Sequence, residues 1–266
     1  DSGGQARVIV RMQDVSQPDR WELANSLSAQ RAAVRSMRRS LESSLIESDV
    51  SIDQYFSTLP FVGVEVDRER LGALLKLSDV AGVYPVITER KAQQREGPSV
   101  ASSVPSIDVL DAWALGYEGA DVTVAVIDGG FDTGHAMLSG KVVGEACFSA
   151  TFGTDTFSQC PNGFAPQIGG GAASNCPPGS ERCDHGTHVA SIAVGNDGAN
   201  FGVAREAQLM PIDVFSEVTS EDVCFPDPAP CELTDSLAVL DALNYVNETA
   251  ENFNVVAVNL SFGGGE

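Results

Sequence analysis

Two textures of hydrophobic patterning divide the chain. In the first, residues 6–13 (ARVIVRMQ) alternate apolar and polar, which predicts a half-buried strand. Residues 20–47 lack Gly and Pro and carry a helical pattern, with Arg35, Arg38 and Arg39 on the wet side. FVGVEV (61–66) predicts a second strand. A helix follows over 67–79, with Asp67 as its N-cap. VAGVYPVITE (80–89) predicts a third strand, giving a small βαβαβ unit of the α+β class. The polar stretch 90–106 (RKAQQREGPSVASSVPS) has no hydrophobic period. It predicts an exposed linker and a target for proteolytic nicking.

The second texture begins near residue 121. DVTVAVID (121–128), AQLMPIDVF (207–215) and FNVVAVNLSF (253–262) are nearly continuous apolar runs. Such runs are expected of strands buried on both faces of a parallel sheet. Helical patterns lie between them, at 185–195 and at 234–250, the latter with Thr234 as a candidate N-cap. Strands alternating with helices predict an α/β doubly wound parallel sheet. The Gly-, Ser- and Pro-rich stretch 149–182 predicts surface insertions.

Charge steps at the same place. Of 266 residues, 37 are acidic and 16 basic, for a net charge of −21. Residues 1–100 hold 13 basic and 14 acidic side chains; the rest hold only Lys141, Arg182 and Arg205 against 23 acids. The boundaries expected are a first domain at 1–90, a linker at 91–106 and a second domain at 107–266. The acidity argues against nucleic acid as a partner and against an anionic membrane surface. No apolar run reaches the roughly 18 residues that a membrane helix needs. The opening DSGGQ lacks Met, which suggests that a leader preceded it.

All six cysteines (Cys147, Cys160, Cys176, Cys183, Cys224 and Cys231) follow the charge step. An even number in loop-like sequence reads as a disulfide framework and an oxidising compartment. Local pairing is expected: Cys147–Cys160, Cys176–Cys183 and Cys224–Cys231.

Candidate chemistry concentrates at the strand ends, where ligands of such sheets sit. Asp128 ends TVAVID and precedes Gly129-Gly130, which let the chain turn sharply. His185 opens the helical run DHGTHVASIAVG, whose Val189, Ile192 and Ala193 share a face able to dock on the sheet. A helix N-terminus disfavours imidazolium, so His185 is expected to be neutral and able to accept a proton. An Asp on its other nitrogen would fix the tautomer. His188 reads as a buried structural companion. In a metal reading, His185 and His188 would be joined by Cys183, Asp184 or His135, but no H-E-x-x-H is present. No metal is therefore assigned. VNLSFGGG (258–265) offers a strand edge at Ser261, Phe262 and Gly263 on which an extended peptide could pair.

Taken in order, VAVIDGG, HGTHVAS and VNLSFGG resemble the Asp, His and substrate-strand segments of subtilisin-like serine proteases. The resemblance covers roughly 104–266, and residues 6–90 resemble the ferredoxin-like inhibitor propeptide that precedes these enzymes. It implies that Asp128 orients, that His185 is the general base, and that Ser261, Phe262 and Gly263 bind the acyl side of a polypeptide substrate. It also implies a secreted zymogen with the propeptide as an intramolecular partner, and a product-like course for residues 85–100 along Gly263. Departures are visible. Gly129 stands where the family has Ser or Thr, and Ser191 where it has Gly. The family's nucleophile segment, G-T-S-x-A, and its oxyanion-hole Asn are not among the 266 residues. The expectation is that this stretch alone is inactive and that a C-terminal remainder completes the site. No cofactor is implied for catalysis. Where the family's best-known calcium site uses an Asp, this chain offers Met137, which leaves Asp132, Asp197 and Asn200 as weaker candidates for a structural calcium. A pseudoprotease acting as a peptide-binding or regulatory module is the alternative function.

Overall fold

A computed structural model describes residues 4–14, 26–46, 50–91, 103–174, 176 and 181–263. They form two compact units, residues 1–87 with 243–248, and residues 88–242 with 249–266.

In the first unit, β1 (Gln5–Met12), α1 (Leu27–Leu45), β2 (Ile52–Tyr55), β3 (Phe61–Asp67), α2 (Arg68–Leu74) and β4 (Val80–Pro85) follow one another. The four strands make an antiparallel sheet in the order β2-β3-β1-β4. This is the element order of a split βαβ unit. On α1, Ala33, Val34, Met37, Leu41 and Leu45 form the buried stripe, at spacings of three and four. It packs with Val8, Val10, Met12, Val62, Val64 and Val66 of the sheet. Arg35 and Arg39 are exposed, and Arg38 lies over the Tyr55 ring at 5.0 Å.

Three expectations are corrected here. Strand β2 was not anticipated, because IDQY is short and mostly polar. Helix α2 starts where predicted, with the Asp67 carboxylate accepting from Arg70 N at 2.8 Å, but it ends at Leu74. The expected strand 80–89 is two strands. Pro85 cannot donate to a ladder, and the chain resumes as β5 (Thr88–Lys91) in the second unit. Arg90 and Lys91 therefore lie in a strand, not in a linker. Residues 92–102, most of the expected linker, fall outside the described residues, as do 20–25 of the first predicted helix.

The second unit holds two five-stranded sheets. One has the order β13-β6-β10-β7-β9, built from β6 (Thr123–Asp128), β7 (Ala146–Cys147), β9 (Gln167–Ile168), β10 (Gln208–Asp213) and β13 (Val255–Leu260). Its β13–β6, β6–β10 and β10–β7 pairs are parallel, and β9 is antiparallel to β7. The other has the order β14-β5-β12-β11-β8, all antiparallel, and adds β8 (Thr156–Phe157), β11 (Ser216–Val218), β12 (Cys231–Asp235) and β14 (Phe262–Gly263). The helices are α3 (Val109–Ala114), α4 (Asp184–Val194), the single turn α5 (Glu221–Cys224) and α6 (Ser236–Phe253), of which residues 243–248 count with the first unit. Thr234 does not cap α6. It stays in β12 with its hydroxyl on Val214 O, and the Asp235 carboxylate caps the helix by accepting from Leu237 N and Ala238 N. All three local disulfides are present: Cys147–Cys160, Cys176–Cys183 and Cys224–Cys231, with Cα separations of 5.6, 5.7 and 5.7 Å. No helix among the described residues is long and apolar enough to cross a membrane.

Candidate active site

Parallel strands β6 and β10 run in register to a shared end, where Asp128 stands beside Asp213. Both carboxylates are fully buried. Asp128 owes its position to an apolar strand, with Ala125, Val126 and Ile127 all inaccessible. The turn Gly129-Gly130 then presents the carboxylate sideways instead of carrying it onward.

Helix α4 supplies the second group. His185 is its second residue, and His185 Nδ1 lies 2.7 Å from Asp128 Oδ1, with the carboxylate as acceptor. Oδ1 also accepts from Gly129 N at 2.7 Å. The bond to Nδ1 leaves the other ring nitrogen, Nε2, as the one available for proton transfer. The helix is locked against the turn. A Cβ on Gly186 would sit 2.2 Å from Gly129 O and 2.6 Å from Gly130 O, so only glycine allows this approach. Thr187 Oγ1 accepts from Asp132 N at 2.9 Å, a second tie to the same turn. The buried stripe of α4 is Gly186, Ala190, Ser191 and Val194, not the predicted Val189, Ile192 and Ala193, which are half-buried. Small residues win the inner positions because the helix runs so close to the sheet. His188 is corrected as well. It lies on the exposed side of the helix and is not a buried companion of His185.

Asp128 Oδ2 is buried and has no hydrogen-bond partner among the described residues. A hydroxyl at position 129 could have served it, but Gly129 has none, and its missing side chain leaves space that Lys91 fills. A Cβ there would lie 2.4 Å from Lys91 Cε.

Around this pair runs a charged network that the sequence patterns did not single out. Arg182 bridges Asp213 through Nη2 and Glu232 through Nε, the latter at 2.9 Å. Lys91 reaches Glu232 and donates to Arg182 O at 2.9 Å. Burial pushes the Asp213 carboxyl up to about 6 even though Arg182 beside it favours the ionised form. One signal was available. Arg182 is one of only three cations after residue 100, and it sits three residues before His185.

The predicted peptide-binding edge is occupied by the chain itself. β14 pairs antiparallel with β5, Phe262 opposite Lys91 and Gly263 opposite Arg90. On its other side β5 pairs with β12, Glu89 opposite Thr234 and Thr88 opposite Asp235. Residues 88–91 thus form the middle strand between β14 and β12. Phe262 turns its ring edge-on to Phe215 at 5.5 Å, and Ser261 Oγ accepts from Asn259 Nδ2 at 2.9 Å.

Metal candidates are otherwise engaged. Cys183 is in a disulfide, and no three His, Cys, Asp or Glu residues converge on a cation position among the described residues. Asp132 accepts from Gly134 N. Asp197 accepts from Ala199 N, Asn200 N and Asn200 Nδ2, and the Asn200 bonds lower its pKa.

Comparison with known proteins points the same way. Residues 119–224 match the subtilase family. The chain is 26% identical over 219 residues to the minor extracellular protease Vpr of Bacillus subtilis, covering 78% of this chain and 25% of that protein. It is 32% identical over 174 residues to bacillopeptidase F of the same organism, 59% of this chain and 11% of that one. The chain therefore spans a quarter or less of the length of these two relatives. Among solved structures, fervidolysin from Fervidobacterium pennivorans, described as a keratinolytic enzyme related to subtilisin, superposes with a TM-score of 0.55 at 15% identity. That match covers 98% of this chain and 36% of the other, and it supports the fold.

Proposed function

Since this chain belongs to the subtilisin-like serine protease family, we propose that it is part of a secreted serine endopeptidase precursor, with Asp128 and His185 as two members of its catalytic triad. The observation that carries this reading is the 2.7 Å contact between His185 Nδ1 and the buried Asp128 carboxylate, at the end of a parallel strand. Asp128 holds the imidazole in the tautomer with the proton on Nδ1. Nε2 then takes the proton of the attacking hydroxyl and returns it to the leaving amine. The imidazolium formed in between is stabilised by the adjacent carboxylate, at a site where low solvent access strengthens the attraction.

The nucleophile and oxyanion-hole Asn belong, in this reading, to a segment outside the 266 residues, which contain no G-T-S-x-A run. Strand β13 supports this. It is apolar except for Asn259, yet Val256, Val258 and Leu260 are exposed, a combination that asks for cover. Residues 1–90 act as the propeptide. The 88–91 strand lies where substrate would pair and blocks the edge until it is cleaved and released. Three disulfides and a relative named as extracellular support secretion.

The test is His185→Ala in the complete protein, assayed for peptide hydrolysis after removal of residues 1–92. Activity should fall by about 10⁶-fold, as when the histidine of such a triad is removed. Turnover that survives the substitution would refute the assignment. A complete protein that binds peptides but hydrolyses none, even with His185 intact, would favour the pseudoprotease.

A further inference from the structure

Residues 88–91 occupy the edge with two adjacent cations, and both are held by groups of the second unit. Neighbouring residues of a strand point to opposite sides, so Arg90 and Lys91 enter different surroundings. Lys91 lays its stem across Gly129 and places Nζ on Arg182 O at 2.9 Å and on the Glu232 carboxylate. The ammonium also stands 5.3 Å from the centre of the Phe215 ring. Arg90 turns toward the loop closed by the Cys224–Cys231 disulfide. Its Nη1 donates to Asp227 Oδ2 at 2.6 Å. Its Nη2 faces the carbonyl oxygens of Val223, Cys224 and Phe225 at 3.1, 3.0 and 3.1 Å.

These receptors have a shared character: two carboxylates, four backbone carbonyls and an aromatic face, all of which favour a cation. Gly129 belongs with them, because a side chain there would displace the lysine stem. In a region that otherwise carries three basic residues and 23 acidic ones, the strand's Arg meets Asp227 and its Lys meets Glu232, which Lys91 shares with Arg182.

We infer that the β12–β14 edge selects extended peptides carrying adjacent Arg and Lys residues, with Glu232 and Asp227 as the specificity determinants. Residues 88–91 are then the built-in example of such a ligand. The inference rests on the proposed peptidase reading for the use of the edge, but selectivity can be tested without catalysis.

The probe is the capped peptide of residues 86–92, against an analogue with glutamine at positions 90 and 91. Binding is measured to the complete protein after residues 1–92 have been cleaved and removed, so that the strand paired with β12 and β14 no longer fills the edge. The native peptide should bind at least about 10-fold more tightly, as expected for charge-assisted hydrogen bonds, and the gap should narrow with added salt. Glu232→Gln should remove the advantage of the Lys, and Asp227→Asn that of the Arg. Should Glu232→Gln fail to fold, since that residue also binds Arg182, Asp227→Asn still decides. Its carboxylate is 55% exposed and holds no other cation in the described ion pairs. Equal binding of the two peptides, or no binding of either, overturns the inference. Hydrolysis without this preference would leave the peptidase reading standing and the inference fallen. Selective binding without hydrolysis would do the reverse.

Discussion

Strands β6 and β13 lie side by side in register, with Leu260 opposite Ile127 and Val258 opposite Ala125. Their sequences, TVAVID and VVAVNL, have nearly the same texture. Their surroundings are opposite. β6 is flanked by β13 and β10 and is buried along almost its whole length. Among the described residues β13 has one neighbour in its sheet, and Leu260 is 41% exposed where Ile127 is fully buried. An apolar run therefore reports the environment a strand is built for, and β13 is built for more cover than the described residues provide.

Paired truncations turn that contrast into a measurement. Ile127→Ala should destabilise the 266-residue chain by about 2–5 kcal/mol, through lost transfer energy and an unfilled cavity. Leu260→Ala should cost about 1 kcal/mol or less, since much of the side chain is already in water. Denaturant unfolding checks both. In the complete protein the two costs should converge if further chain covers β13. Equal costs in the 266-residue chain would break the contrast.

The buried end of the same sheet makes a different claim. Asp213 has a folded pKa of about 6, above its ordinary value of 3.8. Between those limits the folded state holds a proton that the unfolded state has released. Stability from this group is fully present below about pH 4 and is lost as pH rises to about 6, at about 1.4 kcal/mol per pH unit. Asp213→Asn keeps an acceptor for Phe215 N and should flatten that part of the pH–stability curve. An unchanged slope would show that Arg182 holds Asp213 ionised throughout. At the exposed edge, Leu260→Ala should leave the slope as it is.

Much of this contrast was legible in the sequence because it depends on local pattern. The three apolar runs fall on β6, β10 and β13, and Asp128 and His185 stand at strand and helix ends as their flanking glycines suggest. The local cysteine spacings also match the pairs formed. What was not legible depends on register and on long-range neighbours. Arg90 and Lys91 look like a solvated linker until Pro85 ends one strand and antiparallel pairing places them between β12 and β14. Arg182 and Asp213 are 31 residues apart in sequence, and only the packing of α4 beside β10 joins them. His188 was misplaced because the buried stripe of α4, Gly186, Ala190, Ser191 and Val194, is mostly small residues and gives little apolar signal of which face turns inward.

Ser191 tests the least conspicuous of these packing effects. It sits inside α4 at a position the family fills with Gly, and its Oγ is buried without a hydrogen-bond partner among the described residues. The backbone around it leaves no slack: a Cβ on Gly195 or on Gly202 would lie 2.5 Å from Ser191 O. A buried hydroxyl with no partner costs its desolvation, and Ser is a poorer helix former than Ala. Ser191→Ala removes both penalties and keeps the Cβ that the site already accommodates. It should stabilise the chain by about 0.5–1 kcal/mol, read as a higher denaturant midpoint at unchanged slope. A loss of stability would mean that the hydroxyl has a partner in the folded protein. The helix carrying His185 would then be held at its far end by a polar contact as well as by its close fit to the sheet.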